Sequence, residues 1–144
     1  MLYTDLTKKA MRLAYKAHDG QYDKGGVPYV FHPFHVAEQM HSEYDICVAL
    51  MHDVLEDTDY TIDDIRILGF PKDILDALVC ITRDKKLSYE DYILIVKTNE
   101  IATRVKLADL EHNSDTSRLP GDDTAYNNSL LDRYAKAKRV LLDV

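Results

Sequence analysis

The chain is poor in most features that mark a specialised architecture. It has two cysteines in 144 residues, Cys47 and Cys80, and no CxxC spacing, which argues against a thiolate metal cluster. Both sit in apolar helical stretches, DICVAL and ALVCIT, and read as small core residues. No apolar run approaches membrane-spanning length, and the N-terminal MLYTDLTKK lacks the apolar segment of a signal peptide. A cytoplasmic protein without a membrane partner is therefore expected. Sustained period-two alternation is missing, YVF being too short to matter, and this argues against a sheet. Repeats, low-complexity tracts and interdomain linkers are also lacking, so residues 1–144 read as one domain, long enough to bury a core unaided. Positive charge is the last shortage. With 18 Lys+Arg against 25 Asp+Glu the net charge is −7 and the pI about 5.3, which speaks against nucleic acid or an anionic membrane. A small anionic ligand stays compatible, because a bound cation reverses the local sign.

What is present is helical periodicity. Residues 4–19 open on Thr4-Asp5 as cap candidates and carry Leu6, Ala10, Leu13, Ala14 and Ala17 on one face. GQYDKGGVPYVFHP is the one Gly/Pro-rich stretch and reads as a loop. Pro33 suits a first helical position, which predicts a helix through Met40 with His32 at its N-cap. Residues 45–56 are apolar nearly all round, the mark of a central buried helix. Thr61 and Asp64 form a capping-box pattern for TIDDIRIL, Gly69 ends it, and Pro71 begins PKDILDALVCITR. Ser88 caps SYEDYILIVK, a further helix covers about 100–114, and the last runs from about 124 to the end. An all-α compact bundle of roughly seven or eight helices follows.

Within the central helix, MHDVLEDT poses the functional question. Residues four apart share a helix face, so His52 lies under Glu56 and Asp53 under Asp57. Two columns of ligand-type side chains on a buried helix are costly unless paired or bound to metal. Acids at a helix C-terminus are also opposed by the macrodipole. A metal with nitrogen and oxygen ligands needs further groups. His32, before Pro33, is a metal ligand or a packed loop histidine. Asp109, in the apolar RVKLADLEHN, is a ligand or an ion-pair partner. Asn113 shares its face and Lys106 lies three residues before it, a combination of amide and ammonium that suits a phosphate-bearing substrate.

The order HPxxVA…HDVxEDT…RVKLAD…HN resembles the metal-dependent HD-domain phosphohydrolases, and more narrowly the hydrolase domain of the Rel/Spo alarmone enzymes and the stand-alone small alarmone hydrolases. The stretches AHDGQYDKGGVPYVFHPFHVAE, ALMHDVLEDTDYT and RVKLADLEHN that carry it span residues 17–113. The resemblance implies that His32, His52, Asp53 and Asp109 bind one divalent metal, most often Mn2+. It implies that Glu56 and Asp57 orient and deprotonate the attacking water, and that Lys24, Tyr29, Asn113 and Thr116 hold the nucleotide. The implied reaction removes pyrophosphate from the 3′ position of guanosine tetra- or pentaphosphate. With no synthetase domain, a bifunctional enzyme is not expected.

Two positions depart from the pattern. Where the family has an arginine before the loop lysine, this chain has Asp23. Where it has an arginine two residues after the asparagine, this chain has Asp115. Aspartate neither stacks on a base nor pairs with phosphate, so hydrolysis of another nucleotide or phosphoester, or binding without turnover, are the alternatives. His18 reads as structural or as support for the ligands. His35 and His41 read as surface histidines, His112 as either, and Arg104 as solvated. Apolar faces at Leu130, Leu131 and Val140 serve a core or a homo-oligomer equally.

Overall fold

The computed structural model describes residues 1–121 and 123–143. It is all-α: α1 (Asp5–Ala17), α2 (Phe31–Glu38), α3 (Glu43–Met51), α4 (Val54–Asp57), α5 (Ile62–Ile67), α6 (Lys72–Ile81), α7 (Tyr89–Lys97), α8 (Glu100–Asn113), a 3-10 turn (Thr116–Arg118) and α9 (Thr124–Leu142). Among the described residues the only β-type pairing is one isolated bridge, Tyr22 to Pro28, inside the expected loop. No described helix is long and apolar enough to cross a membrane. Val144, where the last helix was expected to end, lies outside the described residues.

Local chemistry sets the helix ends. Thr4 and Thr61 each form a capping box, with Thr7 and Asp64 respectively, and Ser42 and Ser88 accept from Asp45 and Asp91 backbone N–H groups. Gly69 closes α5 at φ +96°, a conformation that side chains resist. From Asp45 to Met51 every residue of α3 is buried, and α3 packs against α1, α2, α6 and α8. Both cysteines are free.

Three expectations need correcting. The helix predicted over 45–56 is broken at His52–Asp53 into α3 and α4. The cause is visible: His52 Nδ1 lies 2.6 Å from the carbonyl of Ala49, the acceptor that the Asp53 N–H would use in a continuous helix. Glu56 and Asp57 thus sit on a one-turn helix of their own, rather than at the C-terminus of a long one. Next, α2 begins at Phe31, so His32 is helical rather than an extended N-cap, and Pro33 falls at the third position. Proline is tolerated there because first-turn N–H groups have no intrahelical acceptor. Finally, Arg104 is not simply solvated. Its Nε and Nη2 donate to the buried Asp45 at 2.6 and 3.0 Å, a two-pronged tie from α8 to α3.

Candidate metal centre and adjoining pocket

Three packed helices deliver four ligand-type side chains to one point. His32 comes from α2, His52 and Asp53 from the break after α3, and Asp109 from α8. His32 Nε2 lies 2.8 Å from Asp109 Oδ1 and 3.7 Å from Asp53 Oδ2. His52 Nε2 lies 3.1 Å from Asp53 Oδ2 and 3.4 Å from Asp109 Oδ1. Ligands about 2.1 Å from a shared ion stand roughly 3.0–3.4 Å apart in octahedral or tetrahedral geometry, so the set is sized for one cation. His32, His52 and Asp109 are each 3% exposed.

The tautomers agree with that donor set. The Ala49 carbonyl can only accept, so His52 Nδ1 carries a proton and Nε2 is left facing the carboxylates. His32 Nδ1 meets His112 Nδ1 at 2.7 Å; with His32 as donor, its Nε2 is likewise free to ligate. His112 is suited to accepting, because burial and then the nearby Arg118 charge push its pKa down to about 4. His18, also buried, places Nδ1 2.8 Å from Gln21 Oε1, and its Nε2 is a buried nitrogen with no hydrogen-bond partner. This set of hard oxygens and imidazole nitrogens could hold a divalent metal.

The buried imidazole and carboxylates also set one another's charge. Burial alone would discharge His52, but Asp53 and Asp109 outweigh it and hold its pKa well above the usual histidine value. Burial likewise opposes ionisation of Asp109, yet Lys106, His32 and His52 hold it well below the ordinary carboxylate range.

Beside the centre, Asp53, Glu56 and Asp57 bring carboxylate oxygens within 4.8 Å of one another. Glu56 Oε1 accepts from the Arg83 backbone N–H at 3.2 Å, which fixes one oxygen. Partial burial, then the charges of Asp53 and Glu56, raise the Asp57 pKa to about 6. Tyr29 donates to Asp53 Oδ2 at 2.5 Å, and Asn113 Nδ2 donates to Asp109 Oδ1 at 3.1 Å. Both also line a cavity of about 260 Å3 together with Lys24, whose ammonium reaches the Tyr126 hydroxyl at 2.9 Å.

The remaining expected contacts fall elsewhere. The Lys106 ammonium is committed to Asp109 Oδ2 at 2.8 Å and stands behind the carboxylate rather than in the cavity. Thr116 is exposed on the 3-10 turn and is not among the cavity-lining residues. Asp115 caps that turn through Ser117, and Asp23 Oδ1 accepts from the amides of Gly25 and Val27, so both aspartates are built into local structure. Sequence reasoning left His112 undecided and gave no place to Arg118. The only available hint for His112 was its position beside Asn113.

No family model matches the sequence. The chain is 33% identical over 120 residues to a guanosine-3′,5′-bis(diphosphate) 3′-pyrophosphohydrolase of Haemophilus influenzae, across 72% of this chain and 17% of that protein. It is 32% identical over 124 residues to the bifunctional (p)ppGpp synthase/hydrolase SpoT of Escherichia coli, across 76% of this chain and 18% of that one. In structure it matches, with a TM-score of 0.79 and 25% identity, a solved protein described as a metazoan orthologue of SpoT that hydrolyses ppGpp, covering 99% of this chain and 88% of that chain. Helices that converge two histidines and two aspartates on one point define an HD-type domain. Within that class the chain belongs to the family of Rel/Spo-type alarmone-hydrolase domains. It spans less than a fifth of the length of the bacterial relatives it matches.

Proposed function

We propose that residues 1–144 form one metal-dependent phosphohydrolase domain that removes pyrophosphate from the 3′ position of guanosine tetra- or pentaphosphate. The observation that carries the reading is the convergence of His32, His52, Asp53 and Asp109 at 2.8–3.7 Å beside the Glu56–Asp57 pair. The relatives' activity supports it. The four residues would hold one divalent cation, with Mn2+ our choice. When bound, the cation supplies Lewis acidity at a phosphoryl oxygen and lowers the pKa of water.

The chain's own residues do the rest. Glu56, pinned by the Arg83 amide, orients the attacking water. Asp57, whose pKa is raised to about 6, takes its proton. The water oxygen forms a bond to the phosphorus on the ribose 3′ oxygen, the bond to that oxygen breaks, and the alkoxide takes a proton from solvent while Asp57 gives its own back to solvent. Tyr29 and Asn113 keep Asp53 and Asp109 aimed while facing the cavity that takes the nucleotide. Lys24 contributes positive charge at its rim. Lys106 acts by neutralising Asp109, and Thr116 contacts the nucleotide only if the substrate extends over the 3-10 turn. The protein works as a cytoplasmic enzyme on a small anionic substrate.

The test is direct. Manganese-loaded protein incubated with guanosine tetraphosphate should release guanosine diphosphate and pyrophosphate, and Asp53→Ala should not. A second reading, hydrolysis of a different nucleotide or phosphoester, is favoured by aspartate at positions 23 and 115. Silence toward guanosine tetraphosphate with turnover elsewhere in a substrate panel would select it.

A further inference from the structure

Arg118 brings into the cavity a guanidinium that no motif in the sequence predicts. It ends the 3-10 turn, its side chain is 21% exposed, and it lines the same cavity as Tyr29 and Asn113. Nη1 donates to the His112 carbonyl at 2.9 Å and to Asn113 Oδ1 at 3.3 Å. A cation is favoured there, against the last carbonyls of α8. Nε and Nη2 make no hydrogen bond among the described residues.

Asp23 faces Nη2 at 3.8 Å, beyond hydrogen-bond reach. It is held back from closing the gap, because its other oxygen accepts from the Gly25 and Val27 amides, both at 2.9 Å. The loop is seated against the turn as well, Gly25 lying beside the Arg118 carbonyl. The carboxylate therefore balances the guanidinium without occupying its donors. Much of the remaining lining is aromatic or aliphatic, namely Tyr22, Leu119, Leu130 and Tyr134, and Lys24 and Arg118 are the cations in it.

We propose that Arg118 grips a phosphate of the nucleotide and sets specificity for phosphorylated ligands, with Asp23 as a tethered counterion that holds the guanidinium ready. The proposal rests on the hydrolase reading for its substrate class. A planar fork whose Nε–H and Nη2–H edge makes no hydrogen bond among the described residues matches a phosphate bidentately, and a phosphate carrying more charge than a carboxylate competes well for it. The charge reversals at positions 23 and 115 are answered in space by a guanidinium from position 118.

The experiment titrates guanosine and guanosine diphosphate into the wild-type chain, Arg118→Gln, Arg118→Lys and Asp23→Asn by calorimetry, and measures turnover of guanosine tetraphosphate in parallel. Arg118→Gln should weaken guanosine diphosphate about tenfold or more, the loss typical of a charge-assisted hydrogen bond, and leave guanosine unchanged. The kinetic loss should fall on KM more than on kcat. Arg118→Lys, which keeps the charge without the fork, should be intermediate, and it carries the test should the glutamine variant not fold. Asp23→Asn, which still accepts from the loop amides, should tighten guanosine diphosphate several-fold. Unchanged guanosine diphosphate affinity in Arg118→Gln overturns the proposal, as does an equal loss for guanosine, which would make Arg118 a base contact. A wild-type chain that binds no guanosine diphosphate overturns it too. Arg118-dependent binding without turnover would instead sink only the hydrolase reading.

Discussion

On the α2–α3–α8 side of the site, each buried group is held by a second one. His32 meets His112, His52 meets the Ala49 carbonyl, and Asp109 meets Lys106 and Asn113. On the other side, a loop, a 3-10 turn and the start of α9 provide the surface. There Lys24 is exposed against Tyr126, Asp23 and Arg118 stand 3.8 Å apart, and Thr116 faces solvent. The first wall is over-determined, so a change in one ligand strands its partners. The second is made of groups whose bonds are local, so its charges can be exchanged with little cost to the fold. On the proposed function, reaction chemistry and ligand choice would be separated in space.

That contrast can be tested from its strongest point outward. Asp109→Ala should abolish turnover and cost about 3–5 kcal/mol in chemical denaturation, because it leaves the Lys106 ammonium nearly buried without its partner. Glu56→Gln should lower kcat by about 10²–10⁴ while manganese affinity stays near wild type, since Glu56 is assigned to the water. A loss of metal there would move Glu56 into the ligand set. His112→Ala should weaken manganese about 10–100-fold by calorimetric titration, and His112→Asn should recover part of that through its amide carbonyl.

Two smaller effects depend on pH. His52 holds its proton well above the usual value in the metal-free fold, and a cation must displace that proton. Manganese affinity should therefore rise as pH rises through the neutral range. The metal-free domain should do the reverse: the stability contributed by charged His52 is complete below the unfolded pKa and is lost as pH climbs through the raised folded value. Asp57 acts in the same direction, at lower pH. Its pKa is raised from 3.8 to about 6, so ionising it costs stability as pH increases across that window. Asp57→Asn should stabilise the metal-free protein above that window by about 1 kcal/mol, after discounting for solvent screening, or roughly 2–4 °C in Tm.

Much of this was legible in the sequence where the cause is local. Thr61 with Asp64 and Ser88 with Asp91 cap helices as their spacing predicts, because a cap is decided within four residues. The apolar run before His52 is the buried centre of the fold for the same kind of reason. What periodicity could not show is the break at His52–Asp53, since it depends on an imidazole taking a backbone acceptor that the helix would otherwise use. The part played by His112 is settled by a residue 80 positions away, and Asp23 looks like a defect until Arg118 is seen across from it. Lys106 was expected to face the substrate; its direction is set by Asp109 Oδ2, the carboxylate oxygen it meets, and by the Tyr92 ring beneath its ammonium.

The pairing of His32 with Asp109 bridges 77 positions of the chain. An ion held by both would act as a removable crosslink that closes about half of the chain into one loop, favouring the folded state by mass action. Stripping that ion would then do more than stop a reaction. The domain would open more often, present its central helix to proteases, and be cleared faster, so that its abundance in a cell would follow the supply of the metal itself.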